Sequence, residues 1–340
     1  MEQSTRASQA TATVSASGGE ATSSTLAECG DQAFRNFNAR QRWPEMSYAG
    51  ALSFLRRPYS RDLSGVDAVV CGVPFDGATS NRPGTRFGPR AIRAASVELG
   101  STDSFPFAGN PFEHLSTIDY GDFYLDPHVP AEIAESIRSQ ASEVLNSGAA
   151  LLTLGGDHFI SYPLLAAHAE RHGPLALIQF DAHCDTWPDD GRRIDHGTMF
   201  LRAARDGIID ASRSIHVGIR THNAEAHGFK VLTAPWIHRH GVDAVIAEIK
   251  ARVGDAKAYL SFDIDCLDPA FAPGTGTPVA GGLLSWQALE ILRGLGGLAI
   301  CGADIVEVSP PYDHAEITAL AGATVAHDIL CLWATGKRGV

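Results

Sequence analysis

Three short segments of this 340-residue chain gather carboxylates and imidazoles at spacings that could do chemistry. In Asp181-Ala182-His183-Cys184-Asp185 the ionisable side chains Asp181, His183 and Asp185 fall at every second position after the apolar run Ala176 to Phe180. Alternation along an extended chain points all three the same way. Asp263-Ile264-Asp265 repeats that spacing after Ala258 to Phe262, with Ile264 and Cys266 on the other face. Gly155-Gly156-Asp157-His158 follows the run Ala149 to Leu154, where the glycines permit a tight turn that leaves His158 over a strand end.

Each segment alone has an ordinary reading, since aspartates at strand ends cap helices and turns and a single histidine is commonly a satisfied core residue. Jointly that reading fails. The carboxylates of Asp181, Asp185, Asp263 and Asp265 would be costly at the ends of core strands without a counter-charge, and no comparable concentration of Lys or Arg flanks them. A divalent metal is the simplest compensation. Oxygen-dominated donors joined by the imidazoles of His158 and His183 suit Mn²⁺ better than a thiolate-built zinc site, and no cysteine has ligand spacing. Such a donor set, with two bridging carboxylates, can hold two ions about 3.5 Å apart, with a water between them whose pKa falls far below its bulk value. That water is a nucleophile at neutral to alkaline pH.

The elements that must position these residues are legible as apolar runs. Val66 to Val73, Leu115 to Asp119, Ala149 to Leu154, Ala176 to Phe180, Ser214 to Gly218, Ala258 to Asp263 and Ala299 to Val306 read as strands. Helical spacing runs over Ala131 to Asn146, Ser161 to Arg171, Val242 to Val253, Ser285 to Leu295 and Glu316 to Ala334. This alternation predicts an α/β fold: a doubly wound, mainly parallel sheet covered by helices on both faces, with ligands at the carboxyl ends of its strands. Residues 1–28, rich in Ser, Thr, Ala and Gly, are expected to be a disordered tail rather than a transit peptide. Residues 29–340 carry no repeat or Pro-rich linker and are expected to form one catalytic domain.

The formal charge of -12 argues against nucleic acid or an acidic membrane surface as partner and agrees with a small cationic substrate. Six cysteines without a C-x-x-C pair read as reduced thiols of a cytoplasmic protein. No apolar stretch is expected to reach the roughly 20 residues of a membrane helix, and no secretory leader is indicated.

Gly155-Gly156-Asp157-His158, Asp181-Ala182-His183-Cys184-Asp185 and Ser261-Phe262-Asp263-Ile264-Asp265-Cys266-Leu267-Asp268-Pro269, in this order, resemble the signature segments of the ureohydrolase (arginase and agmatinase) family. The likeness runs from about Val66 through Ala334 and is greatest to its agmatinase branch, including Pro74-Phe75-Asp76 and Glu307-Val308-Ser309-Pro310-Pro311-Tyr312-Asp313. It implies a three-layer α/β/α sandwich, two Mn²⁺ per subunit and a homo-oligomer, trimeric or hexameric. Carried onto matching positions, one manganese takes His158, Asp181, Asp185 and Asp263, and the other takes Asp181, His183, Asp263 and Asp265. Asp185 also accepts a hydrogen bond from the metal-bridging hydroxide, Glu307 holds the guanidinium, and His196 shuttles a proton to the leaving amine. The implied reaction is hydrolysis of agmatine to putrescine and urea; 4-guanidinobutyrate and arginine are the alternative substrates. A non-catalytic metal-binding or scaffold member would be marked by a lost ligand, and every one is retained. Substrate choice turns on the loop Trp187 to Arg193: Arg192 and Arg193 turned inward would bind a carboxylate, whereas facing solvent they leave Asp189 or Asp190 to meet an ammonium.

Overall fold

All seven expected runs form strands in the computed structural model, which describes residues 46–99, 103, 105–107, 109–189 and 195–337. They are β1 (Ala68–Val73), β2 (Thr117–Asp122), β3 (Ala150–Gly155), β4 (Ala176–Phe180), β5 (Ile215–Ile219), β7 (Lys257–Asp263) and β8 (Ala299–Val306). An eighth strand, β6 (Lys230–Thr233), was not expected. It is four residues long and half exposed at the sheet edge, so it lacks the apolar run that marks its neighbours. The expected tail, residues 1–28, lies outside the described residues.

The strands pair in the order β2-β1-β3-β8-β7-β4-β5-β6, and every pairing is parallel. Alternate residues of each strand feed two separate apolar layers. Val70, Leu152, Ile178, Leu260 and Ala303 face one layer, and Val69, Leu151, Leu177 and Tyr259 face the other. The first is covered by α1 (Gly88–Ser96), α5 (Ala234–His240), α6 (Val242–Val253), α7 (Ser285–Arg293) and α8 (Ile317–Lys337). The second is covered by α2 (Ile133–Asn146), α3 (Ser161–His172) and α4 (Met199–Arg205). This is the three-layer α/β/α sandwich that parallel strands require, because both faces of such a sheet must be buried.

The helices α1, α4 and α5 were not expected. They span only nine, seven and seven residues, too few turns for an apolar stripe to stand out, and α1 buries Arg93 in ion pairs with Asp119 and Asp122. One expectation is corrected by α8, which at 21 residues and a mean hydropathy of 1.5 is long and apolar enough to cross a membrane. Its most apolar window is 72% buried against α1, α7 and the sheet, so its composition reflects a core position.

Buried histidines make stability depend on pH. His168 of α3 donates from Nδ1 to Leu164 O at 2.8 Å, its Nε2 has no partner, and Gly302 is held to glycine because a Cβ there would lie 2.1 Å from that nitrogen. Burial lowers its pKa to about 4. The unfolded chain therefore binds a proton below pH ~6.5 that the native state refuses until about pH 4, so this contribution is complete above the unfolded pKa and lost as pH falls through that window. We expect His168→Gln to flatten the stability profile of the metal-free protein by about 2 kcal/mol between pH 7 and pH 5. Urea denaturation at both pH values checks this; parallel profiles for variant and wild type would show that His168 does not carry the linkage.

Candidate metal centre and active site

The strand order gathers the chemical segments. β3, β8, β7 and β4 are consecutive neighbours, so their carboxyl ends present His158, Glu307, Asp263 with Asp265, and Asp181 with His183 and Asp185 side by side. Gly156 permits the turn after β3, because a Cβ there would sit 1.8 Å from the Phe75 carbonyl oxygen. Asp157 and Asp263 each cap a short 3-10 turn, accepting from Phe159 N and Asp265 N respectively, and these turns fix the directions of His158 and Asp265.

The donor atoms converge in two groups that share Asp181. His158 Nδ1 lies 3.1 Å from Asp181 Oδ2, 2.9 Å from Asp185 Oδ2 and 3.1 Å from Asp263 Oδ2. His183 Nδ1 lies 3.3 Å from Asp181 Oδ1 and 3.1 Å from Asp265 Oδ2. Despite these distances His158 Nδ1 has no hydrogen-bond partner of acceptable direction, as befits atoms aimed at a common point rather than at one another. The four aspartates are buried, and among the described residues none pairs with a lysine or arginine. Burial, followed by the charge of Asp181, pushes Asp185 up to about 7, and burial with the charges of Asp265 and Asp181 likewise raises Asp263. Cations between these carboxylates would relieve that repulsion, so the donor set fits divalent metal.

The tautomer of His158 follows from its outer partners. Ser261 Oγ donates to Asp304 Oδ1 at 2.6 Å and so accepts from His158 Nε2 at 2.8 Å. Nε2 thus carries a proton, which leaves Nδ1, facing the carboxylates, as the nitrogen that would ligate a bound ion. Asp304 also accepts from Ser161 and Tyr259. Gln179 donates to Asp181 Oδ2 at 2.6 Å and to His183 O at 3.1 Å, while its own Oε1 meets His216 Nδ1. Sequence reasoning missed Asp304, Gln179 and Ser261 as supporting residues. Their signal was available, since each is a polar residue inside an otherwise apolar core strand.

Glu307, 1% exposed, lies beside the cluster in the left-handed region at φ 63°. Its Oε1 accepts from His158 N at 2.9 Å and from His196 Nδ1 at 3.0 Å, whereas Oε2 is buried and has no partner. Asp185 also adopts a positive φ, 51°; two non-glycine outliers at one site store strain that the surrounding fold must hold in place. His196 Nε2 meets both Ser80 N at 3.0 Å and Ser80 Oγ at 2.7 Å. Ser80 thereby offers a partner to either protonation state: its amide donates to neutral imidazole and its hydroxyl accepts from imidazolium. Burial opposes the charged form, but the hydrogen bond and charge of Glu307 outweigh it and push His196 up to about 9. A cavity of about 130 Å³ opens here between His183, Asp185 and Asp263 on one side and Ser80, Trp187 and His196 on the other.

Residues 66–331 match the model of the Arginase family. The chain belongs to the arginase family. Among members of the arginase family, it is 56% identical over 310 residues to a protein named agmatinase from Chromobacterium violaceum, covering 91% of this chain and 96% of that one. It is 51% identical to an agmatinase from Neisseria meningitidis serogroup C, covering 84% and 93%. The crystal structure of a hypothetical agmatinase from Burkholderia thailandensis superposes with a TM-score of 0.88 at 56% identity, over 91% of this chain and 99% of that one. Proclavaminate amidino hydrolase from Streptomyces clavuligerus gives 0.82 at 40% identity, over 85% and 99%. The loop after β4, on which substrate choice was expected to turn, is described as far as Asp189. Asp189 is turned towards α4, its carboxylate only 6% exposed and 3.6 Å from Arg202. Asp190, Arg192 and Arg193 lie outside the described residues.

Proposed function

We propose that this chain is a binuclear manganese agmatinase, converting agmatine and water to putrescine and urea. The observation that carries the reading is the unpartnered Glu307 Oε2, a buried anionic acceptor beside a metal-competent cluster in a chain 56% identical to a named agmatinase. His158, Asp181, Asp185 and Asp263 would hold one ion, and Asp181, His183, Asp263 and Asp265 the other; oxygen-rich donors with two imidazoles favour Mn²⁺. Bound there, the pair supplies Lewis acidity and a water of lowered pKa.

The protein's own residues do the rest. Glu307 Oε2 accepts from the guanidinium N–H groups and fixes that plane, its Oε1 being already held by His158 N and His196. The C–N bond to the alkyl amine breaks, and His196, positioned by Glu307 and Ser80, delivers a proton to the departing nitrogen. Gly276 packs against this carboxylate: a Cβ there would lie 3.4 Å from Oε2, an ordinary contact, and 3.1 Å from the Arg82 carbonyl oxygen. The reading includes a cytoplasmic, homo-oligomeric enzyme, a trimer or hexamer, in keeping with the five described cysteines all being free thiols.

The test is urea release from a panel of guanidino compounds by manganese-reconstituted protein. We expect kcat/KM for agmatine to exceed that for 4-guanidinobutyrate and arginine, chelation to abolish turnover and Mn²⁺ to restore it. A ratio of agmatine to 4-guanidinobutyrate below one would refute the substrate, and a chelator-insensitive rate would refute the metal.

A further inference from the structure

The 130 Å³ cavity beside the cluster shares Ser80, Trp187, His196 and Gly197 with a larger outer cavity of about 750 Å³. His196, the hydrogen-bond partner of Glu307, lines both cavities, so a substrate held by its guanidinium at Glu307 would send its other end outward past these shared residues. Phe75, Ile133 and Phe159 line the outer cavity and suit a polymethylene chain. Among the described residues lining it, Asp195 and His196 are the ionisable ones, and no lysine or arginine is present. Both ring nitrogens of His196 are already engaged, with Glu307 and Ser80.

Asp195 differs. Its Oδ1 accepts from Gly197 N at 3.0 Å, which fixes the carboxylate, while among the described residues its Oδ2 has no hydrogen bond and the group forms no ion pair. We infer that Asp195 is the specificity-determining residue that receives the distal ammonium of the substrate in the outer cavity, an inference that rests on the guanidino reading of the inner one. A half-buried carboxylate with one oxygen oriented by the backbone and the other free is pre-organised for a cation, and its charge repels the carboxylate tail of 4-guanidinobutyrate. The site thus has a carboxylate for each end of a dication, Glu307 within and Asp195 without.

The experiment measures kcat/KM for urea release from agmatine and from butylguanidine, which has the same guanidinium and an uncharged tail, with manganese-loaded wild type and Asp195→Asn. Asparagine keeps the acceptor for Gly197 N–H and removes only the charge. The ratio of agmatine to butylguanidine is expected to fall about ten- to a hundredfold, the value of one charge-assisted hydrogen bond, with KM moving more than kcat. Asp195→Ser, which also retains an acceptor, serves as the second variant and should move the ratio the same way. Equal losses on both substrates would show a merely structural role and overturn the inference, as would an unchanged ratio. Failure of the wild type to release urea from agmatine would instead remove the underlying substrate reading, so the two failures are distinguishable.

Discussion

Asp181→Ala and Asp263→Ala are each expected to reduce bound metal from two ions to one or fewer per chain and to lower turnover by at least about a thousandfold. Asp181 presents Oδ2 to the His158 group and Oδ1 to the His183 group, so its loss takes a ligand from both positions at once. Asp263 lies 3.1 Å from His158 Nδ1 through Oδ2, while its Oδ1 accepts from Asp265 N at 2.7 Å, so alanine there also frees the turn that aims Asp265. Losing several kcal/mol of charge stabilisation corresponds to three or more decades in rate. Metal analysis alongside urea release is the check. Stoichiometric metal with near-normal turnover in both variants would remove the binuclear assignment.

Glu307→Gln is expected to keep its metal and yet lose about a hundred- to a thousandfold in kcat/KM. The amide oxygen can still accept from His158 N and His196 Nδ1, so the local fold and the tautomer of His196 survive. What changes is the unpartnered position: in place of Oε2 the variant presents an NH₂ group, a donor facing the donors of a guanidinium. Charge attraction becomes repulsion at the point where the substrate plane is set, and misplacement of the reacting carbon is costly. A loss of only a few-fold would mean the guanidinium is anchored elsewhere. Loss of metal would instead make Glu307 part of the ligand shell.

The metal-ligand candidates were legible because their spacing is a backbone property: every second residue of a strand end faces one way, whatever surrounds it. Their pairing into two groups was not derivable from spacing, because it depends on β8 lying between β3 and β7, an adjacency no local pattern records. Glu307 and His196 were reached through resemblance; their mutual hydrogen bond and the role of Ser80 required the fold. Asp304 and Gln179 were visible as polar residues in core strands, but their meaning lies in partners far along the chain, Ser161 for one and His216 for the other. The ion pair of Asp189 with Arg202 was not legible because Arg202 sits on α4, a helix too short to betray itself by periodicity.

The position of β8 also bears on how the chain is made. It is the last strand in sequence and yet occupies the middle of the sheet, between β3 and β7. Without it, the observed order would leave β2-β1-β3 and β7-β4-β5-β6 as two separate ribbons, each with an interior strand exposed as an edge, the situation that invites pairing between chains. Insertion of β8 joins the ribbons, removes both edges and in the same step delivers Glu307 beside the carboxylates of β4 and β7. An ion held through His158 would need β3 beside β4 and β7 and so would stabilise only chains in which the join has been made, whereas the donors Asp181, His183, Asp263 and Asp265 all lie within the β7-β4 ribbon.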